Sequence, residues 1–183
     1  DMNASFGITK GEISVEKSSM TLKNVNLQGN FSCKQGKTPQ KTALSISSFS
    51  ANLSGGKMDG SFSIHNFNNP VYSLKANADI GLNAIQQFIP MDTVESMNGN
   101  LKASIVYKGE LKNTENYYSD VSSATEAAGE IKLSNASVRL KNNTLHFDNM
   151  NGNFSVDNDD LHINDFSENI SGNDFDLTGI LKN

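Results

Sequence analysis

The chain has 183 residues with 15 Lys and Arg against 20 Asp and Glu, a net charge of −5. Its lysines are scattered, so neither a nucleic-acid footprint nor a polybasic membrane patch is supported. Only 36% of residues are hydrophobic, Trp is absent, and no apolar run approaches the roughly 18 residues of a membrane-spanning helix. The single cysteine, Cys33, excludes an internal disulfide.

In chain order, apolar residues alternate with polar ones in short bursts. Met20 and Leu22 are followed by Val25, Leu27, Phe31 and Cys33, then by Leu44 and Ile46, Phe62 and Ile64, and Tyr72 to Ile80. Spacing of two places each set on one face of a strand, with Ser, Asn, Lys, Thr and Asp on the other. From Asp79 to Pro90 the spacing changes: Leu82, Ile85, Phe88 and Ile89 predict a short helix on the apolar face, with Asp79 as its cap and Pro90 as its stop. Alternation resumes at Leu101, Ala103, Ile105 and Tyr107. Residues 114–128, rich in Ser, Ala and Glu, read as a loose linker or weak helix. Further strands follow around Ile131, Val138, Leu145, Phe154, Leu161 and Phe175. Short connections rich in Asn, Asp, Gly and Lys favour antiparallel neighbours, because parallel strands need long crossovers.

The chain also repeats itself. Gly11-Glu12-Ile13 returns as Gly129-Glu130-Ile131, and Gly29-Asn30-Phe31-Ser32 as Gly152-Asn153-Phe154-Ser155. Leu44-x-Ile46-x-x-Phe49-Ser50-x-Asn52-x-Ser54-Gly55 returns as Leu161-x-Ile163-x-x-Phe166-Ser167-x-Asn169-x-Ser171-Gly172. These matches, at offsets of 118, 123 and 117 residues, point to two copies of one strand set. Cys33 then aligns with Val156, so its site should hold a small buried apolar group. The expected fold is mainly β: an antiparallel, curved sheet with one apolar face, forming a groove or an incomplete sandwich, with one short helix. Residues 1–113 form the first repeat with its helix-containing extension, 114–128 a linker, and 129–183 a second, truncated repeat. The last strand, Phe175 to Leu181, should lie at or near a sheet edge and tend to pair with another chain.

Chemical motifs fare badly. Asp157, Asp159 and Asp160, with Asp165 beyond, suggest a calcium loop, but Leu161 falls where an oxygen ligand is needed and the central glycine is missing. His65, His146 and His162 are far apart, and no serine lies in a nucleophile-elbow pattern. No catalytic residue, metal or cofactor is expected, and the chain reads as a non-enzyme.

Gly60-x-Phe62-x-Ile64-x-Asn66-Phe67, Pro70, Leu74-x-Ala76-x-Ala78-Asp79-Ile80-x-Leu82, Phe88-Ile89-Pro90, Gly99-x-Leu101-x-Ala103 and Tyr107-x-Gly109 together resemble the AsmA-like family. Gly129-x-Ile131-x-Leu133-x-Asn135-Ala136 continues the resemblance, which covers nearly all of the chain from Gly11 onward. It implies a groove-shaped β-sheet in a periplasmic protein, anchored in the inner membrane by an element absent from this chain. It also implies a role in outer-membrane assembly and likeness to bridge-like lipid-transfer proteins.

The expected partner is therefore a phospholipid or another acyl-chain lipid, carried on the apolar face, with no nucleic acid involved. Each methylene kept from water is worth about 0.8 kcal/mol, so exposing an acyl chain of about 16 carbons costs on the order of 13 kcal/mol. An apolar trough removes most of that barrier. The residues expected to line it are Phe62, Ile64, Leu74, Leu101, Ile105, Phe154 and Ile163. Roughly ten strands would span about 50 Å, one segment of a conduit. The alternative is a structural or adhesive cell-surface β-scaffold without a lipid ligand.

Overall fold

The computed structural model describes the chain except residues 15–20, 35, 37, 54, 89, 90, 111–123, 159 and 183. Alternation of apolar and polar residues builds ten strands: β1 (Met2–Ser14), β2 (Thr21–Cys33), β3 (Thr42–Leu53), β4 (Gly56–His65), β5 (Val71–Gly81), β6 (Val94–Glu110), β7 (Ala124–Leu140), β8 (His146–Asp157), β9 (Asp160–Ile170) and β10 (Asn173–Leu181). They form one antiparallel sheet in which every strand pairs only with its sequence neighbours, from β1 at one edge to β10 at the other. The sheet is open, and the helix α1 (Leu82–Phe88) is its only sizeable addition among the described residues. Nine inter-strand spacings give a sheet about 43 Å across.

Residues directly opposite each other across a strand pair share a face. The registers therefore carry one apolar face through all ten strands, from Phe6 opposite Gly29 in the first pair to Phe166 opposite Leu177 in the last. Helix α1 sits over this face against β5 and β6. Ala84, fully buried, packs with Leu53 and Ile80; Leu82 packs with Ala136 and Met150. Two buried clusters lie around the helix, at one end of the strands, while Cys33 and Thr42 are buried at the other end.

Several expectations need correction. Asp79 does not cap the helix, because β5 runs through it to Gly81, and its carboxylate lies on the polar face. Pro90 and Ile89 lie outside the described residues, as does 114–123 of the expected linker. The remainder of that linker, 124–128, belongs to β7, where hydrogen bonding to β6 and β8 overrides its low apolar content. The two presumed copies lie within one continuous sheet.

The registers relate the two halves of the sheet differently from the short sequence matches. The β3–β4 and β9–β10 hairpins coincide pair for pair at an offset of 117: Phe49 faces Gly60 as Phe166 faces Leu177, and Ile46 faces Phe62 as Ile163 faces Gly179. Both turns use a glycine in the left-handed region, Gly55 at φ 87° and Gly172 at φ 93°. The β1–β2 and β7–β8 pairs coincide at an offset of 125: Phe6 faces Gly29 as Ile131 faces Phe154. The long third sequence match therefore marks equivalent positions. The two short ones do not: Gly11 corresponds to Ala136 rather than Gly129, and Gly29 to Phe154 rather than Gly152. Val156 corresponds to Phe31, not to Cys33, although Cys33 is buried as expected and accepts a hydrogen bond from the Thr42 hydroxyl at 3.5 Å.

What recurs most closely is a bulge. In the first pair, Lys10 and Asn24 both have φ 51°, and the Asn26 side chain bridges them: its Oδ1 accepts from the Lys10 amide at 3.1 Å and its Nδ2 donates to the Asn24 carbonyl at 2.9 Å. Asn135, Asn149 and Asn151 repeat this arrangement at 2.9 and 2.8 Å. Asparagine suits such positions because it tolerates positive φ and bonds to nearby backbone.

Candidate functional site: the uncovered apolar face

Lines of paired residues cross the strands on the apolar face. One line, under the helix, runs from Leu53 past Ile80 to Leu101, Leu133 and Gly152. A second contains Met58, Ala78, Ala103, Ile131, Phe154 and Ile163. A third contains Phe49, Gly60, Ala76, Ile105, Gly129 and Val156. The fourth, toward the far strand ends, contains Ile46, Phe62, Leu74, Tyr107 and Ala127. Successive lines are about 6.8 Å apart along the strands.

All seven expected lining residues lie on this one face, and all are half-buried. Phe62, Leu74 and Ile64 form one patch, where Ile64 faces Tyr72 and the Tyr72 and Tyr107 rings stack with centroids 5.5 Å apart. Ile105 stands next to that patch. Phe154 and Ile163 face each other on β8 and β9, and the Phe154 ring lies 5.9 Å from Phe166. Leu101 is set apart from the others: it packs against both buried clusters around α1 and belongs to the covered end.

Between the helix and the Phe62 patch, strands β4 to β7 carry small residues: Gly60, Ala76, Ala78, Ala103 and Gly129. In the sequence the alanines look like ordinary strand positions, and Gly60 and Gly129 stand out only as members of matched motifs. Their signal was available, since glycine inside a strand marks a close approach. A Cβ on Gly60 would lie 2.0 Å from the Lys75 carbonyl oxygen and 2.9 Å from the Phe49 ring. Phe49 thus lies across Gly60, and the methyl groups of Ala76, Ala78 and Ala103 leave low ground beside Ile105 and Ile131. Ala84 and Ala136, both fully buried, were likewise missed. They are small because the helix and a bulge approach the sheet closely at those points.

The opposite face is polar and largely satisfies itself. Asn77 donates to Asp59 at 2.9 Å and accepts from the Ser104 hydroxyl at 2.9 Å. Asn153 donates to both carboxylate oxygens of Asp165, at 3.0 and 2.8 Å, and Arg139 bonds Asp148 at 2.9 Å. Asp79 accepts from Asn100 at 2.8 Å and pairs with Lys102 at 3.1 Å. The Asn100 hydrogen bond and then the Lys102 contact lower the Asp79 pKa from its ordinary value near 3.8. A depression of about 390 Å³ lies on this side among Lys102, Ser104, Glu130, Lys132, Asn153 and Asn164. Asp157 is exposed at the β8–β9 turn, and the described residues contain no group of three metal-ligating side chains. His65 and His146 are exposed, and His162 is half-buried.

No family model matches the chain, and neither does any curated protein or solved structure. Among the described residues, the broad surface of distinctive chemistry is the apolar face. It can hold hydrocarbon by burial alone, without charge or directional bonding.

Proposed function

We propose that this chain is a β-groove segment of an AsmA-like envelope protein, periplasmic and tethered to the inner membrane, that carries acyl-chain lipids along its apolar face in lipid transfer or outer-membrane assembly. One observation carries the reading: an apolar face continuous through ten strands has only a seven-residue helix over it and no second sheet among the described residues. Ordinary one-sided sheets hide such a face against another layer. Here Phe62, Ile64, Leu74, Ile105, Phe154 and Ile163 retain solvent access, as residues that meet a mobile hydrocarbon chain must.

The small residues of β4 to β7 lie between α1 and the Phe62–Leu74–Tyr107 line, so an acyl chain would run across the strands there. Movement along this direction exchanges one apolar contact for another and leaves no deep trap. The shared registers of β1–β4 and β7–β10 support duplication as the origin of the sheet: adding strands lengthens such a track without changing its cross-section.

The test is mass spectrometry of lipids extracted from the purified chain, alongside a control protein carried through the same membranes. Co-purifying phospholipid or fatty acid, lost when Phe62 and Leu74 are both changed to Ser, supports the reading. A lipid-free protein that also fails to take up a fluorescent fatty acid favours the structural or adhesive scaffold.

A further inference from the structure

We propose that the depression on the polar face, over β6 to β9, is a binding site for a sugar that carries one acidic group, a carboxylate or a phosphate. It lies on the opposite side of the sheet from the apolar face and does not rest on the lipid reading. Successive registers set one row of side chains across this side: Lys57, Asp79, Lys102, Lys132, Asn153 and Asp165. Charge alternates along the row until Lys102 meets Lys132, and like charges directly opposite on neighbouring strands repel. Lys102 is compensated by Asp79 at 3.1 Å, and Asn153 is turned to Asp165. Lys132 has no carboxylate within ion-pair distance among the described residues. Lysines that are scattered along the sequence thus leave one uncompensated cation where the register brings two together.

The depression, about 390 Å³, opens at that point and is large enough for one sugar ring. A bulge shapes its far side: Asn153 faces Asp165 and Phe154 faces Ile163, so Asn164 is the extra residue of β9. Bulges re-aim side chains, and here Asn164 turns toward β8, where its Nδ2 donates to the Ser155 hydroxyl at 3.2 Å. Its amide oxygen is left to accept. Beside the lysine pair, Ser104 faces Glu130. The Ser104 hydrogen is given to Asn77, so its oxygen is also left to accept. Glu130 has no partner among the described residues and does not pair with Lys132, about 6.8 Å along the same strand.

These groups state what the ligand must carry. A bare anion between Lys102 and Lys132 is repelled from the side by Glu130. A neutral sugar leaves the lysine pair uncompensated. An acidic sugar answers both demands: its acid group takes the two ammonium groups, and its ring hydroxyls donate to Glu130, to the Ser104 oxygen and to the Asn164 amide oxygen. A pyranose bears its exocyclic acid group on one side of the ring and free hydroxyls on the other, which matches the separation of Lys132 from Glu130 along β7.

The experiment titrates the full chain at low salt with methyl glucuronide, glucose 6-phosphate, the neutral methyl glucoside and inorganic phosphate, read by amide NMR shifts. At least one acidic sugar should move the amides of Lys102, Ser104, Lys132, Asn153 and Asn164. It should bind about fivefold more tightly than the glucoside, the scale of one or two exposed ion pairs, with the gap narrowing as salt rises. Lys132→Gln should abolish that preference without lowering the melting temperature, because it relieves the repulsion with Lys102; a lysine kept for folding would lower it. Glu130→Gln should act in opposite directions on the two kinds of anion, weakening the acidic sugar and tightening inorganic phosphate. Phosphate that binds the parent as tightly as both acidic sugars would make this a simple anion site and overturn the sugar assignment. Shifts scattered over the sheet, no shifts at tens of millimolar sugar, or indifference to Lys132→Gln would overturn the site itself.

Discussion

Replacing Ile105 with Asp separates an open apolar face from a closed core. Ile105 is half-buried, between Ala76 and Gly129, in the uncovered part of the sheet. Complete burial of an Ile side chain is worth about 1.5–3 kcal/mol, so the half-buried one contributes about 1–1.5 kcal/mol. A carboxylate there keeps part of its hydration, and the total loss should be about 1–2 kcal/mol. For a chain of this size that lowers the melting temperature by roughly 2–8 °C. Leu53→Asp is the comparator: Leu53 is 1% exposed and packs against Ile80 and Ala84. There the change removes the whole burial term and also strands a charge without a partner, costing several kcal/mol out of a typical total of about 5–15. Thermal unfolding should therefore show a folded Ile105→Asp protein and a largely unfolded Leu53→Asp protein. In parallel, a fluorescent fatty acid is titrated against the parent and Ile105→Asp. Displacing about four methylenes from the charged spot forfeits about 3 kcal/mol, a loss of affinity of roughly 100-fold. Equal destabilisation by the two substitutions would show that Ile105 lies in a closed core. Unchanged affinity in Ile105→Asp would remove it from the lipid path.

Three other outcomes follow from local geometry. Gly60→Ala pushes a methyl into the Lys75 carbonyl and the Phe49 ring, so it should cost about 1–3 kcal/mol in a denaturant melt, far more than an ordinary glycine-to-alanine change in a strand. Asn26→Ala and Asn151→Ala each remove a clasp of two hydrogen bonds at a bulge, and each should lose about 1–2 kcal/mol, with the double variant losing the sum. Because the folded pKa of Asp79 is depressed, its contribution to stability is present above the ordinary value near 3.8 and is lost as pH falls through the folded value. The melting-temperature gap between the parent and Asp79→Asn should therefore be open near neutral pH, close in acid and shrink with added salt, since the pair is exposed.

Much of the fold was legible because a strand writes its two faces into the sequence at a period of two, and the residues named for the apolar face all lie there. The helix was legible for the same reason, since Leu82 and Ile85 broke that period. Its start was misread at Asp79, because a carboxylate before an apolar turn looks the same whether it caps a helix or pairs with a lysine on the next strand. Residues 124–128 looked like linker because small residues carry little pattern, yet strand pairing satisfies backbone groups whatever the side chains.

The amino-acid sequence by itself determined the mainly β class, the antiparallel connections and the single apolar face, since these follow from local periodicity and short turns, but it left β1 unmarked and split β7 into strands around Ile131 and Val138. The long Leu44 and Leu161 runs occupy matching register positions in β3 and β9. The true alignment of the shorter matches was decided by the paired bulges at Lys10 and Asn24 and at Asn135 and Asn149. A bulge shifts which residues face each other without leaving a distinctive run of letters. Only the tertiary structure decided that, among the described residues, α1 alone lies over the apolar face and that Leu101 falls under it. Alternation records which side of a strand is apolar, whereas what lies above that side depends on contacts between elements distant along the chain.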